Sequence, residues 1–205
     1  MKKYIKKNVS IDVVKQLHEK FNLSKLEASI LARRNITSSN SLLYYLEDDL
    51  RFSHIPFLLK NMEDAVERIL AAKEEGEKVL IFGDRDVDGI TSTAILYSYF
   101  KSQGMDISYR LPVGEDAYGL SIAAIDDFAK NYGSLIITVD CGISNIKEID
   151  YANSLGIDVI VTDHHNPPEV LPNALTIIDP KLSTSTPIET TSSEGSGDVF
   201  KVEIS

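Results

Sequence analysis

The sequence predicts an α/β fold in which a parallel β-sheet is flanked by helices and preceded by a helical N-terminal segment. The first observation is that short β-branched runs alternate with helical patterns from Lys78 onward. The second is that residues 10–75 carry helix signals. The third is that groups of polar residues follow three of the apolar runs directly. Polar groups in that position are expected where parallel strands end at one edge of a sheet.

The helix signals of the N-terminal segment are clearest in two places. Ser24 and Glu27 have the spacing of a capping box before an apolar stretch. Asn61 can cap a second helix, which has acidic residues in its first turn and which Gly76 ends. Between these helices, residues 51–57 are predicted to form an irregular connection.

The remainder of the chain alternates strands with helices and then becomes polar. Strands are predicted at 78–83, 106–111, 135–139, 157–161 and 175–178, and helices at 90–102, 121–132 and 144–155. This alternation is typical of a doubly wound or similar three-layer parallel sheet. Residues from 182 onward are rich in Ser and Thr and are predicted to form an irregular tail.

Composition limits the classes of protein that this chain can represent. A length of 205 residues allows one medium domain or two small ones, and a net charge of −10 argues against a broad basic surface for nucleic acid. The single cysteine, Cys141, excludes an internal disulfide and fits a reducing cytoplasm. The basic N-terminus is followed by no apolar signal segment, and no run approaches the ~20 apolar residues that cross a bilayer. We therefore expect a cytoplasmic protein without membrane contact.

The polar groups at the strand ends contain residues that commonly bind metal. Three aspartates follow the first predicted strand, one follows the third, and an aspartate and two histidines follow the fourth: Asp84, Asp86, Asp88, Asp140, Asp163, His164 and His165. Carboxylates that lie this close together repel one another unless a cation separates them. The sequence therefore predicts a metal-dependent hydrolytic centre at the carboxyl edge of the sheet.

Other interpretations of these residues fit the sequence less well. A calcium loop starting at Asp84 would need glutamate at its twelfth position, which is Ile95. A solvated acidic turn would leave the other two groups unexplained, and no P-loop motif occurs. Cys141 is predicted to be a small buried residue, because nothing in its sequence context would activate a thiolate. The segment from Tyr118 to Ser121 is either a glycine turn that caps the next helix or a loop near the crevice.

Three motifs, in this order, resemble those of the DHH phosphoesterase superfamily, and more narrowly the N-terminal part of RecJ-type single-strand DNA exonucleases. They are Gly83–Ser92, Ile137–Gly142 and Val161–His165. The similarity extends over about residues 25–181 and includes the stretch from Ile30 to Met62. It implies a helical segment at 1–76, a DHH domain at 77–181 and an irregular tail at 182–205.

The resemblance also implies roles for particular residues and a cofactor. The implied cofactor is a pair of Mn²⁺ or Mg²⁺ ions, with Asp140 bridging them and His165 facing the scissile phosphate. The implied ligands are Asp84, Asp86, Asp88, Asp140 and His164, and with His165 these are the implied catalytic residues.

The implied substrate is single-stranded DNA, degraded from its 5′ end in repair and recombination, with repair proteins as possible partners. One alternative is a phosphodiesterase of short oligonucleotides or cyclic dinucleotides, against which the helical N-terminus argues. Another is a truncated, inactive remnant, because the acidic ligand of a fourth motif and a second domain are missing from the sequence. Arg85 stands where an aromatic residue is usual in the family, which would alter the pocket.

Overall fold

A computed structural model describes residues 7–46, 55–114 and 116–182, without the side chain of Tyr44. The described residues divide into two compact units, one within Met1–Ser53 and the other within His54–Ser205. Most of the predicted connection at 51–57 and all but the first residue of the predicted tail at 182–205 lie outside the described residues. A short 3₁₀ helix, Pro56–Leu58, begins within that connection.

The described residues of the first unit form three helices, α1 (Ile11–Phe21), α2 (Lys25–Arg33) and α3 (Ser39–Leu46). The predicted capping box is present, because the Ser24 hydroxyl accepts from the backbone N–H of Glu27 and the Glu27 carboxylate accepts from that of Ser24. The buried residues of this unit form one apolar cluster, composed of Leu17, Ala28, Leu31, Ala32, Ile36 and Leu42.

The second unit is built on the predicted parallel sheet. Its strands are β1 (Lys78–Gly83), β2 (Asp106–Arg110), β3 (Leu135–Val139), β4 (Asp158–Thr162) and β5 (Thr176–Ile178). They lie in the order β2-β1-β3-β4-β5, and every pair is parallel. The α/β prediction is therefore confirmed, and the predicted strands agree with the observed ones to within a residue at either end.

Helices cover both faces of the sheet, which gives three layers. They are α4 (Met62–Glu75), α5 (Val87–Ser102), α6 (Ile122–Lys130) and α7 (Ile146–Ser154). Because side chains alternate along a strand, Leu80 and Phe82 belong to the core that contains residues of α6 and α7, whereas Val79 and Ile81 belong to the core that contains residues of α4 and α5. Helix α4, which the prediction assigned to the N-terminal segment, thus packs with the sheet.

Helices α5 and α7 start at other residues than predicted, α7 at Ile146 instead of residue 144, and α4 is capped differently. Helix α5 begins at Val87 instead of residue 90, because Asp86 is its N-cap and accepts from the backbone N–H of Gly89 at 3.0 Å. The prediction that the Asn61 side chain caps α4 is wrong, because this residue has a φ of 66° and its side-chain amide donates to the carbonyl of Ile177 at 2.9 Å. Asn61 thus binds an edge strand of the sheet.

Candidate metal centre

The carboxyl ends of three neighbouring strands bring the predicted site residues to one edge of the sheet. Gly83 is paired with Val139, and Val139 with Thr162, so the next residue of each strand stands in one row. Those residues are Asp84, Asp140 and Asp163, and each is at least 94 % buried.

The first group of possible metal ligands contains Asp84, Asp86 and Asp140, which offer carboxylate oxygens within 4.8 Å of one another. Helix α5 approaches this group closely, because a Cβ atom added to Gly89 would lie 2.5 Å from the carbonyl oxygen of Asp84. The N-terminus of α5, which is the positive end of its helix dipole, therefore lies next to these carboxylates.

The second group contains Asp140, His164 and His165, again with ligand atoms within 4.8 Å of one another. The Nε2 atom of His164 lies 2.8 Å from Oδ1 of Asp140. Asp140 is shared by both groups, which is the position that a bridging ligand would need. Among the described residues, Asp88 is in neither group; it lies partly buried in the first turn of α5.

The electrostatics of Asp140 are unusual for a carboxylate. Its side chain is 1 % exposed, and no group of the described residues donates a well-formed hydrogen bond to either oxygen. Burial, together with the negative charge of Asp86, raises the pKa of Asp140 to about 7. The hydrogen bond from the Gly89 N–H instead lowers the pKa of Asp86, and burial lowers the pKa of His164.

These features fit a divalent cation. Buried polar atoms normally have partners, yet Oδ1 of Asp84 and both oxygens of Asp140 have no hydrogen bond. A cation would give these atoms the partner that the protein does not provide.

Asp163 has a different role from the one that its sequence position suggests. Its Oδ1 accepts from the backbone N–H groups of His164 and His165 at 2.7 and 3.0 Å, and its Oδ2 accepts from that of Ile143 at 3.0 Å. The same Oδ1 lies 2.7 Å from Nδ1 of His165. Because a carboxylate oxygen needs a donor, Nδ1 carries the ring proton. Asp163 therefore holds the two histidines in place, and Nε2 of His165 is left for substrate or ion.

Two residues that the sequence analysis did not assign to the site lie beside it. Tyr118 donates its hydroxyl proton to the backbone carbonyl of Asp140 at 3.2 Å, and the same hydroxyl lies 3.2 Å from Nδ1 of His165. Asp179 follows β5 and is 5 % exposed; one of its oxygens has no donor, and burial raises its pKa to about 6. The rule that found the other aspartates, a polar residue directly after a strand, would also have found Asp179.

The surroundings of the site settle two further predictions and show where Arg85 lies. Cys141 is fully buried, its thiol contacts the carbonyl of Phe82, and burial raises its pKa well above the usual range. The predicted inert cysteine is therefore confirmed. Ser121 caps α6, and Tyr118 just before it lies at the crevice, so both interpretations of that segment hold. Arg85 is exposed and donates to the carbonyl of Gly114 at 3.1 Å, which leaves a cation on the rim.

Comparison with known proteins identifies the family. The model of the DHH family, N-terminal domain, matches residues 78–202. The chain belongs to the DHH family. This DHH chain is 36% identical over 171 residues to the single-stranded-DNA-specific exonuclease RecJ of Bacillus subtilis strain 168, and 45% identical over 126 residues to that of Escherichia coli K12. These alignments cover 83% and 60% of the chain, but the chain spans only 22% of the length of each of the two relatives.

Solved structures agree with this assignment of the DHH chain. RecJ from Thermus thermophilus in complex with Mn²⁺ matches 95% of the chain and 26% of its own, with a TM-score of 0.68 and 25% identity. A manganese-bound exonuclease RecJ matches 71% of the chain and 37% of its own, with a TM-score of 0.63 and 33% identity. None of the helices in the described part of the chain is long and apolar enough to cross a membrane.

Proposed function

We propose that this chain is the metal-binding catalytic part of a RecJ-like exonuclease that degrades single-stranded DNA from its 5′ end. Residues 77–181 would form the catalytic domain, and the cofactor would be a pair of Mn²⁺ or Mg²⁺ ions. The observation that carries the proposal is the pair of ligand groups that share Asp140 at the carboxyl edge of the sheet. Similarity to manganese-bound RecJ structures supports the metal, and similarity to single-stranded-DNA-specific exonucleases supports the substrate.

The proposed ligands divide between the two groups. One ion would be held by Asp84 and Asp86, the other by His164, and both by Asp140. Asp88, in the first turn of α5, is proposed as a ligand through its position in the motif and would need its side chain to turn toward the ions. Two divalent ions in such a site supply a nucleophile from water at neutral pH and offset negative charge on the phosphate.

The other residues of the site act on the substrate without a metal. Asp163 fixes the proton on Nδ1 of His165, so Nε2 can accept a proton or, once protonated, donate a hydrogen bond to a phosphate oxygen. Arg85 on the rim offers a cation to the approaching strand, which matters in a chain of net charge −10. A cytoplasmic location, a role in DNA repair and recombination, and contacts with repair proteins complete the proposal.

A substrate panel with added Mn²⁺ tests the proposed function. The 205-residue chain is incubated with a 5′-labelled single strand, the same strand in a duplex, and a short oligonucleotide, with the Bacillus subtilis relative as positive control. We expect digestion of the single strand alone. The matched variants are Asp140→Asn, which should abolish the digestion, and Asp150→Asn, an exposed carboxylate on α7 that should not change it.

The other outcomes each contradict one part of the proposal. Cleavage of only the short oligonucleotide would assign the chain to phosphodiesterases of small nucleotides. Manganese binding in a calorimeter without cleavage of any substrate would identify an inactive remnant. Digestion that is unaffected by Asp140→Asn would show that the site lies elsewhere.

A further inference from the structure

Tyr118 connects the two halves of the metal centre through a single hydroxyl group. This hydroxyl lies 3.2 Å from the backbone carbonyl oxygen of Asp140, the residue shared by both ligand groups. It also lies 3.2 Å from Nδ1 of His165. The two contacts join the end of β3 to the loop after β4, and both start from a third segment, the loop that precedes α6.

The proton positions of this arrangement follow from the acceptors. Nδ1 of His165 donates to Asp163, whose Oδ1 is the nearer partner at 2.7 Å. The hydroxyl of Tyr118 then donates its proton to the carbonyl of Asp140, because a carbonyl can only accept. Its oxygen in turn accepts a second, weaker hydrogen bond from Nδ1 of His165. Every donor in the chain of contacts has an acceptor, so the arrangement has one consistent set of protons.

The ring of Tyr118 adds a steric restraint to the polar one. Its centroid lies 5.8 Å from that of His165 with the planes at 80°, an edge-to-face contact. The ring of His164 lies on His165 as well, with centroids 4.6 Å apart. His165 itself is otherwise substantially exposed, with 45% of its side chain open to solvent. Without the ring of Tyr118, the His165 side chain would meet little steric resistance to rotation on the side that Tyr118 now covers.

We propose that Tyr118 is a positioning residue that keeps the His165 imidazole in the single orientation in which Nδ1 reaches Asp163 and Nε2 faces the reacting phosphate. The inference rests on the proposed function for its consequence in catalysis, but the ring restraint itself exists without substrate or metal. Backbone geometry favours the same arrangement, because Gly119 has a φ of 83° and a Cβ there would lie 2.4 Å from the side chain of Asn145. The neighbour of Tyr118 is thus held in place, and Asn145 also accepts from the backbone N–H of Leu120 at 3.1 Å.

The test compares Tyr118→Phe, which keeps the ring and removes the hydroxyl, with Tyr118→Leu, which removes both. Tyr132→Phe is the matched control, because that tyrosine is 89 % exposed and lies after α6. Partners that orient a functional histidine are worth about 10- to 100-fold in activity. We expect kcat on single-stranded DNA to fall about 10-fold in Tyr118→Phe and further in Tyr118→Leu, with KM little changed and Tyr132→Phe unaffected.

The second readout is the nitrogen NMR spectrum of the His165 ring in the metal-free chain. The wild type should show one sharp set of signals for the tautomer that is protonated at Nδ1. Tyr118→Phe should broaden or split those signals, whereas Tyr132→Phe should leave them unchanged. Ring signals that are identical in wild type and Tyr118→Phe would overturn the inference, whatever the rates. If the wild type shows no nuclease activity, the proposed function fails, and the ring spectra still decide the role of Tyr118.

Discussion

The substitution Asp140→Asn should make the metal-free protein more stable, and increasingly so as the pH rises. Asp140 is 1 % exposed, accepts no well-formed hydrogen bond from the described residues, and has a pKa raised to about 7 from an ordinary value of 3.8. A carboxyl group whose pKa is higher in the folded than in the unfolded state binds its proton more tightly when folded. Its ionisation therefore lowers the free energy of unfolding as the pH rises from about 4 to 7.

The magnitude follows from the difference between these pKa values. Each unit corresponds to about 1.4 kcal/mol, so complete ionisation of Asp140 would remove about 4 kcal/mol of stability. About 3 kcal/mol of this falls between pH 5 and 8, where many assays operate. Asparagine has nearly the same shape and does not ionise. The difference in unfolding free energy between Asp140→Asn and wild type should therefore grow by about 3 kcal/mol over that interval.

The assay is urea denaturation in the presence of a chelator at several pH values between about 5 and 8, with Asp150→Asn as an exposed control. Subtracting the wild type cancels titrating groups that do not contact residue 140, among them Asp179, whose own pKa is raised. A difference that stays constant with pH, or that shrinks, would refute the reasoning. Adding Mn²⁺ at about 100 times its Kd should stabilise the wild type by about 2.7 kcal/mol, and should stabilise Asp140→Asn far less.

Three other predictions concern residues that pack around the site or at the edge of the sheet. Gly89→Ala should lower the free energy of unfolding by about 3 kcal/mol and abolish manganese binding in calorimetry, because the new Cβ would meet the backbone of Asp84 at 2.5 Å. Asn61→Gly keeps the positive φ and removes only the bond to the carbonyl of Ile177, so urea denaturation should show a loss of about 1 kcal/mol. Cys141 is fully buried, so a thiol reagent should modify it only when the protein unfolds.

Each of these predictions has its own control and its own contradicting result. Ser102→Ala, at the exposed end of α5, should neither destabilise the protein nor change its affinity for manganese. If Gly89→Ala is equally harmless, the argument from the close packing of Gly89 against Asp84 is wrong. Asn35→Gly, at a residue that also has a positive φ and whose side chain accepts from a surface lysine, should lose less stability than Asn61→Gly. Modification of Cys141 at the same rate in native and urea-denatured protein would show that the strand end is open.

The sheet and the location of the site could be predicted because they depend on local patterns. Runs such as Leu135–Val139 are apolar along most of their length and buried throughout, as a central parallel strand requires. Parallel strands direct their carboxyl ends to one edge, so residues 84, 140 and 163 had to lie near one another. These local patterns therefore predict the sheet and the location of the site without knowledge of any long-range contact.

The contacts that could not be predicted depend on partners far away in the sequence. Asn61 stands at a helix-capping position, but its side-chain amide donates to the carbonyl of Ile177, 116 residues later in the sequence. Tyr118 reaches Asp140 and His165, which are 22 and 47 residues away, and nothing in its own segment indicates which side of the crevice its loop follows. Such choices are decided by the position of a loop or an edge strand in the fold, which local propensity does not encode.

Asp140 and Asp163 show why identical residues at equivalent strand ends can have opposite functions. Asp163 accepts from three backbone N–H groups and an imidazole, so its charge is satisfied inside the protein. Asp140 is equally buried, but no backbone N–H of the described residues donates to it, and its close contact with Nε2 of His164, at 2.8 Å, is not a well-formed hydrogen bond. The first can therefore orient its neighbours at any pH at which it is ionised, whereas the second gains a partner only by taking up a proton or a cation. Because the metal-free fold is destabilised by the charge of Asp140, a bound ion would offset that loss, and the feature that makes the chain less stable is the one that would make it bind metal.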